Sequence, residues 1–310
     1  MSSSVLDSSV DAPPEKAPAA HWATDALLLL MALIWGVNFI VVKRGTQLMR
    51  PLAFGGARVA IAATALIVIV TVMRERWPSR RDVIALLMLG VIGNGLYQWF
   101  FIEGVSRTRA GTAALVLAAA PAFMAIIGRI LGVEQVTGRR ILGIAASLVG
   151  MGLVVFGSAH PVAGPSGDVS TLAGNMLVLA ACLCWATYTV LLKPYTERVP
   201  GISLSAVTMI GGAIPLVAVA TPDILRTPWT ALPVGAWGAL GYSGILALVV
   251  AYLFWYRGVR VIGPTRSAMY SNLQPVVALV VAWLALGEQP TLVQVVGAAA
   301  IMIGLLLTRA

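Results

Sequence analysis

The chain has 310 residues, 59% of them hydrophobic and only 11% charged, with a mean hydropathy of +0.91 and a formal net charge of +9. Soluble domains carry about a quarter of their residues as Asp, Glu, Lys and Arg, so this composition excludes an ordinary soluble globular protein and implies a polytopic membrane protein. Nor does the charge indicate a nucleic-acid partner, because the basic residues are scattered in small groups between apolar stretches.

Residues 1–22, rich in Ser, Ala and Pro, lack a basic stretch followed by a cleavable apolar core and read as a disordered cytoplasmic tail. At about 20 residues per crossing, ten apolar segments follow: 25–43, 52–73, 83–103, 108–131, 137–157, 172–193, 202–221, 235–256, 262–286 and 291–308. A Gly- and Pro-rich stretch without Lys or Arg, 159–171, separates the fifth from the sixth and suits an external linker. With the N-terminus inside, fourteen Lys and Arg fall on the cytoplasmic side and six on the other. The positive-inside rule then puts both termini in the cytoplasm of a cell whose inner or plasma membrane holds the chain. Lys43 and Arg44, just past the first segment, run against that trend. Cys182 and Cys184 share one segment two residues apart, on different helix faces, where neither a disulfide nor a shared metal site is expected.

The sequence also repeats. Trp35-Gly-Val-Asn-Phe-Ile-Val-Val-Lys43 returns as Trp185-Ala-Thr-Tyr-Thr-Val-Leu-Leu-Lys193, and Gly104, Pro121, Glu134, Gly143 and Gly150 return as Gly258, Pro275, Glu288, Gly297 and Gly304. Two five-segment copies, 23–158 and 172–310, are therefore fused, and an odd number of crossings inverts the second copy relative to the first. Duplicated units of this kind are a common build for secondary transporters, with the substrate site where the copies meet.

The run Trp35-Gly36-Val37-Asn38-Phe39 with Lys43, the mid-segment Pro275, the Gly287-Glu288 pair and Gly297 with Gly304 resemble the EamA-type carriers of the drug/metabolite transporter superfamily. The first copy departs by placing Val133 before Glu134. The resemblance implies an all-α integral membrane protein of ten transmembrane helices in two inverted five-helix EamA repeats. It further implies alternating access and export of amino acids or similar small metabolites.

The candidate solute site follows from polar and aromatic residues in mid-segment. Pro121 and Pro275 each remove a helix hydrogen bond and free the carbonyls of Leu117 and Ser271, which hydrocarbon tolerates only on an inward face; a kink serving shape alone is the simpler alternative. Tyr270, Ser271, Asn272 and Gln274 surround Pro275, and such groups are costly in mid-membrane unless they face a cavity. Trp35 with Asn38, and Trp185 with Tyr188, are three apart and share a helix face. They are expected to line the cavity, and helix packing is the alternative. Tyr97, Gln98 and Trp99 in the third segment and Tyr252 and Trp255 in the eighth continue the theme.

Arg58 is the only basic residue clearly within a segment, and Glu103 closes the third segment on the same side, so an Arg58–Glu103 ion pair is expected, either structural or as a gate. Contact of Arg58 with a substrate carboxylate is the other reading. Small residues four apart in segments five and ten suit helix packing or a homodimer face. Glu134 and Glu288 fit caps at segment ends.

None of the twelve acids lies at the centre of a segment, and His21 and His160 fall outside the apolar core, which argues against a proton relay deep in the membrane. No phosphate-binding loop, metal-ligand cluster or activated nucleophile is present in the sequence, so no cofactor, metal or catalytic residue is expected. The reading is a carrier for a small amphipathic solute; an intramembrane lipid-modifying enzyme and a non-transporting sensor or assembly subunit are the alternatives.

Overall fold

Ten principal helices make up the computed structural model, which describes residues 18–132, 138–157, 171–262, 267, 270–271 and 273–309. They are α1 (Pro18–Leu48), α2 (Pro51–Val72), α3 (Arg80–Ser106), α4 (Ala110–Ile130), α5 (Gly138–Gly157), α6 (Leu172–Thr196), α7 (Gly201–Arg226), α8 (residues 234–262), α9 (Leu273–Leu286) and α10 (Leu292–Arg309). No strand occurs among the described residues. Among the described residues seven helices are long and apolar enough to cross a membrane, and Ile141–Gly157, Leu273–Leu286 and Leu292–Gly304 are shorter apolar helices. Most of the expected linker, together with Glu134 and Asn272, lies outside the described residues.

Local sequence explains the helix ends. The Ser79 hydroxyl accepts from Asp82 N at 3.2 Å to start α3, and the Thr171 hydroxyl accepts from Gly174 N at 3.0 Å to start α6. Thr291 and Gln294 form a reciprocal capping box, with Gln294 N donating to the Thr291 hydroxyl (3.2 Å) and Thr291 N to Gln294 Oε1 (2.9 Å). Gly287, at φ +68°, ends α9 in the left-handed conformation that glycine adopts without a Cβ penalty. In the first copy the same conformation falls on Gly132 (φ +70°), one residue before Val133, so that copy also ends its fourth helix on a left-handed glycine.

Contacts between helices come in matched sets. α1 packs on α8 and α9, just as α6 packs on α3 and α4; α2 packs on α8 as α7 packs on α3. Three further pairs, α2–α7, α4–α9 and α5–α10, join each helix to its own sequence counterpart. Small residues set the closest approaches. A Cβ on Gly90 would lie 2.1 Å from the Thr208 carbonyl oxygen, and one on Gly211 2.2 Å from that of Leu87, so α3 and α7 touch backbone to backbone. α5 and α10 form a peripheral pair in the same way: a Cβ on Gly304 would meet the Gly143 carbonyl at 2.4 Å, and one on Gly150 that of Gly297 at 2.6 Å. The small residues of segments five and ten thus serve packing within the chain.

Both third helices of the copies contain a π-helical stretch, Val91–Leu96 in α3 and Tyr242–Val250 in α8. Such stretches release backbone carbonyls from the regular ladder and often mark functional positions. Here the carbonyl of Ala247 accepts the Trp35 indole N–H at 2.9 Å, while Ser243 donates to Asn38 Oδ1 at 2.8 Å and Tyr242 to the Ile34 carbonyl at 3.1 Å. Three side-chain bonds therefore fasten α1 to the π stretch of α8.

Candidate solute chamber

The two halves of the chain meet at Trp35 and Trp185, the residues that open the sequence repeat. Their rings lie 6.4 Å apart edge to face, and Tyr252 touches both, at 5.6 Å from Trp35 and 6.1 Å from Trp185. Tyr97 adds a contact of 5.3 Å to Trp185, and Trp255 one of 6.1 Å to Trp35. Such edge and tilted arrangements are favourable for aromatic quadrupoles.

Beside this wall lies a cavity holding about 1020 Å³ of atom-free space, mouth included. A space of that order suits a small molecule. α1 contributes Trp35, Asn38 and Phe39, and α2 contributes Arg58. From α3 come Tyr97, Gln98 and Phe101, and from α4 the stretch around Leu117, Ala118, Pro121 and Met124. α6 gives Trp185, α8 gives Ala247, Leu248, Tyr252 and Trp255, and the α9 region gives Ser271, Gln274 and Pro275. Both copies thus furnish the wall, while α5 and α10 supply none of it among the described residues.

The proline of α4 acts as its chemistry requires. Regular helix stops at Leu117 and resumes at Ala120, with Ala119 N reaching back to Val116 O (3.2 Å) and Ala122 N to Ala119 O (3.0 Å). The stretch above the break, Ala110–Leu117, packs on α6 and α9; the stretch below, Ala120–Ile130, packs on α5 and α6. The cavity reaches down between this lower stretch and the start of α9.

At the end of the bundle where α3 turns into α4, opposite charges close the structure. The Lys43 ammonium donates to the carbonyls of Thr108 (2.9 Å) and Ser106 (3.4 Å) at the end of α3, and Arg44 donates to the Ala285 carbonyl at the end of α9 (3.1 Å). Glu288, placed by the turn at Gly287, accepts from Ala110 N and Gly111 N, each at 3.2 Å, at the start of α4. Cations on helix C-termini and a carboxylate on an N-terminus complement the helix dipoles. Glu288 is therefore a cap, but of a helix in the other copy. Two ion pairs bind the loops: Arg50 with Asp223 (2.9 Å) at this end and Arg198 with Asp82 (2.6 Å) at the other.

Of the expected solute contacts, Trp35, Asn38, Tyr97, Trp185, Tyr252, Ser271 and Gln274 line the cavity, as do Pro121 and Pro275. Tyr188 does not line it. Its hydroxyl lies 3.3 Å from that of Thr208 and 3.2 Å from that of Tyr256, and its ring packs against Gly93, where a Cβ would come within 2.3 Å. Tyr270 packs beside the α1–α8 apolar cluster rather than on the cavity wall, and Trp99 is 37% exposed, stacked on Phe100 away from the interior.

The expected Arg58–Glu103 pair does not form. Glu103 pairs with Arg107, one helical turn further on, whereas Arg58 turns into the cavity with its guanidinium carbon 5.8 Å from the Phe101 ring centre. The i,i+4 partner in its own helix is closer to hand for Glu103 than a residue deep in α2. Phe39, Phe101 and Met124 were not foreseen. Phe101 sits four residues after Tyr97, and Met124 three after Pro121, so each shares a face with an expected lining residue, a signal available in the sequence; Leu117 had entered only through the carbonyl that Pro121 frees.

Helices of membrane-crossing length around an internal chamber of metabolite size define a multi-pass membrane protein of the transporter class. The sequence profile of the EamA-like transporter family matches residues 22–156 and 172–310, and the chain belongs to that family. Relatives include the uncharacterized transporter YyaM of Bacillus subtilis (strain 168), 26% identical over 90% of this chain and 91% of that one. The probable terminal-alkyne amino-acid exporter of Streptantibioticus cattleyicolor is 28% identical over 94% of each chain. The probable amino-acid metabolite efflux pump of Salmonella typhimurium is 28% identical over 90% of this chain and 92% of that one. A solved crystal structure with 19% identity shares the fold, at a TM-score of 0.61 over 92% of this chain and 95% of that one.

Proposed function

We propose that this protein is a secondary-type carrier that moves a small amphipathic metabolite, of amino-acid size and type, across the inner membrane by alternating access, in the direction of export. The ten helices act as ten crossings in two inverted five-helix repeats, with both termini cytoplasmic. One observation carries this reading: the cavity lies on the seam between the copies, and the repeated residues Trp35 and Trp185 touch each other on its wall.

The matched contacts support alternating access, because a frame in which each copy grips the other in the same way has two related arrangements close in energy. In the arrangement described, the α3–α4 end is closed by Lys43 and Glu288, and the cavity reaches toward the other end beside lower α4. Under the orientation read from the basic residues, that is access from the cytoplasm, the loading side for export. The names of the amino-acid exporter and efflux-pump relatives favour the same direction.

The test is flux through the purified chain in proteoliposomes loaded with a cytosolic metabolite extract, followed by mass spectrometry of the external medium. Selective release of at least one small metabolite, above protein-free liposomes, is expected; release of none overturns the carrier reading.

A further inference from the structure

Among the described residues of the cavity wall, Arg58 alone carries a charge. It is 1% exposed, and its Nε and one terminal amino nitrogen have no hydrogen-bond partner. Gln98, 1% exposed and on the same wall, leaves its Oε1 without a partner as well. The acids that could reach the interior are engaged elsewhere: Glu103 with Arg107, and Glu288 with the start of α4.

A guanidinium does not shed its proton in a protein, and a buried charge without a partner costs several kcal/mol. A built cavity wall that holds such a group requires an account of what completes it. The second copy sharpens the point. At the position equivalent to Arg58, 150 residues on, stands Thr208, whose hydroxyl donates to the Leu204 carbonyl at 2.9 Å and lies 3.3 Å from the Tyr188 hydroxyl. The duplicated frame accommodates a small, internally satisfied group there, so the charge in the first copy is not a demand of the fold.

We propose that Arg58 is the anion-recognition residue of the chamber and that the transported solute bears a single carboxylate, on a body that is neutral or zwitterionic. This rests on the carrier reading above and deepens it. One cation in an otherwise uncharged wall neutralises one negative charge, and a dianion would leave its second charge unpaired in an apolar site. The planar fork of Arg matches the two oxygens of a carboxylate. An ammonium group on the same solute meets Gln98 Oε1 and the faces of Trp35 and Tyr252, which attract cations through their ring quadrupoles. A solute with a net positive charge is repelled by Arg58 and excluded.

The same extract-loaded proteoliposomes test the assignment when the released compounds are sorted by head group and the wild type is compared with R58Q and R58K. Both variants are first compared with the wild type by thermal unfolding of the purified protein. The released compounds should carry carboxylates, and R58Q should lower their flux by about 10- to 100-fold, the worth of one or two hydrogen bonds to a charged group. R58K, which keeps the charge but loses the fork, should fall between the two and serves as the readout if R58Q does not fold. Release of compounds without a carboxylate, or carboxylate flux through R58Q within twofold of the wild type, overturns the role of Arg58 and leaves the carrier reading standing. In the latter comparison a properly folded R58Q is required; otherwise R58K at wild-type flux has the same consequence. Release of nothing by the wild type overturns both.

Discussion

Replacing Glu288 should loosen one end of the bundle by a predictable amount. Its two carboxylate oxygens accept from Ala110 N and Gly111 N at 3.2 Å each, and the residue is 7% exposed. Hydrogen bonds to a charged group contribute about 1.5–3 kcal/mol. Both contacts are at the long end of the normal N–H···O range, so the lower figure applies to each, and Glu288→Ala should cost about 3 kcal/mol. Glu288→Gln keeps one accepting oxygen and turns an amide donor toward the other N–H, for a loss of about 1.5–2 kcal/mol. Unfolding of the purified protein in mixed micelles by titration with SDS measures both. Glu103→Gln is the reference, since it removes a half-exposed pair within one helix that is worth less than about 0.5 kcal/mol. If the carboxylate bridges α9 to α4 only while this end is closed, its loss also favours the open form, by about tenfold for 1.4 kcal/mol. A cysteine placed at Ala114, on the upper wall of the cavity, should then react faster with an impermeant maleimide in the Glu288→Gln background. Equal stability of Glu288→Ala and Glu103→Gln would refute the clasp.

Other expectations concern the frame and the chamber. Trp35→Phe keeps an aromatic ring but removes the donor to the Ala247 carbonyl, and should cost about 1 kcal/mol by the same SDS titration. Gly90→Ala places a Cβ against the Thr208 carbonyl oxygen and should destabilise by about 1–3 kcal/mol or more. Gly238→Ala, with nothing within 4 Å, should be neutral or stabilising by up to about 1 kcal/mol; the reverse order would mean that α3 and α7 do not approach as described. No carboxylate or imidazole lines the cavity among the described residues. Flux of a solute whose own charge is constant should therefore vary little between about pH 6 and 8, the range in which a histidine would titrate, as measured by initial rates in proteoliposomes with equal pH on both sides.

The helical frame was legible because hydropathy and duplication are properties of the chain itself. What was illegible depended on which way a side chain turns. Lys43 and Arg44 read as charges that end the first segment, yet α1 continues to Leu48 and Lys43 is buried. Their cationic tips are satisfied by helix-end carbonyls from α3 and α9, partners that lie 63 to 241 residues away in sequence. Tyr188 shares a helix face with Trp185 as the spacing required, but a face is wider than a cavity, and Tyr188 falls on the part of it covered by Gly93 and Thr208. The ion pair expected between Arg58 and Glu103 is absent because Arg107, four residues after Glu103, takes that carboxylate. The π stretch of α8 left no trace in periodicity, and the groups that bond it, Trp35 and Asn38 of α1, lie more than two hundred residues away in sequence.

In the carrier proposed above, the solute path runs through the cavity on the seam between the copies. Ala118, on the wall at the break in α4, offers the most direct test, because Ala118→Trp fills the cavity without touching the clasp at Glu288 or the loops. In proteoliposomes the wild type should release metabolite above the protein-free background, while Ala118→Trp, unfolding at the same temperature, should release none. Release by the folded Ala118→Trp variant at the wild-type rate would mean that the solute does not pass through this cavity.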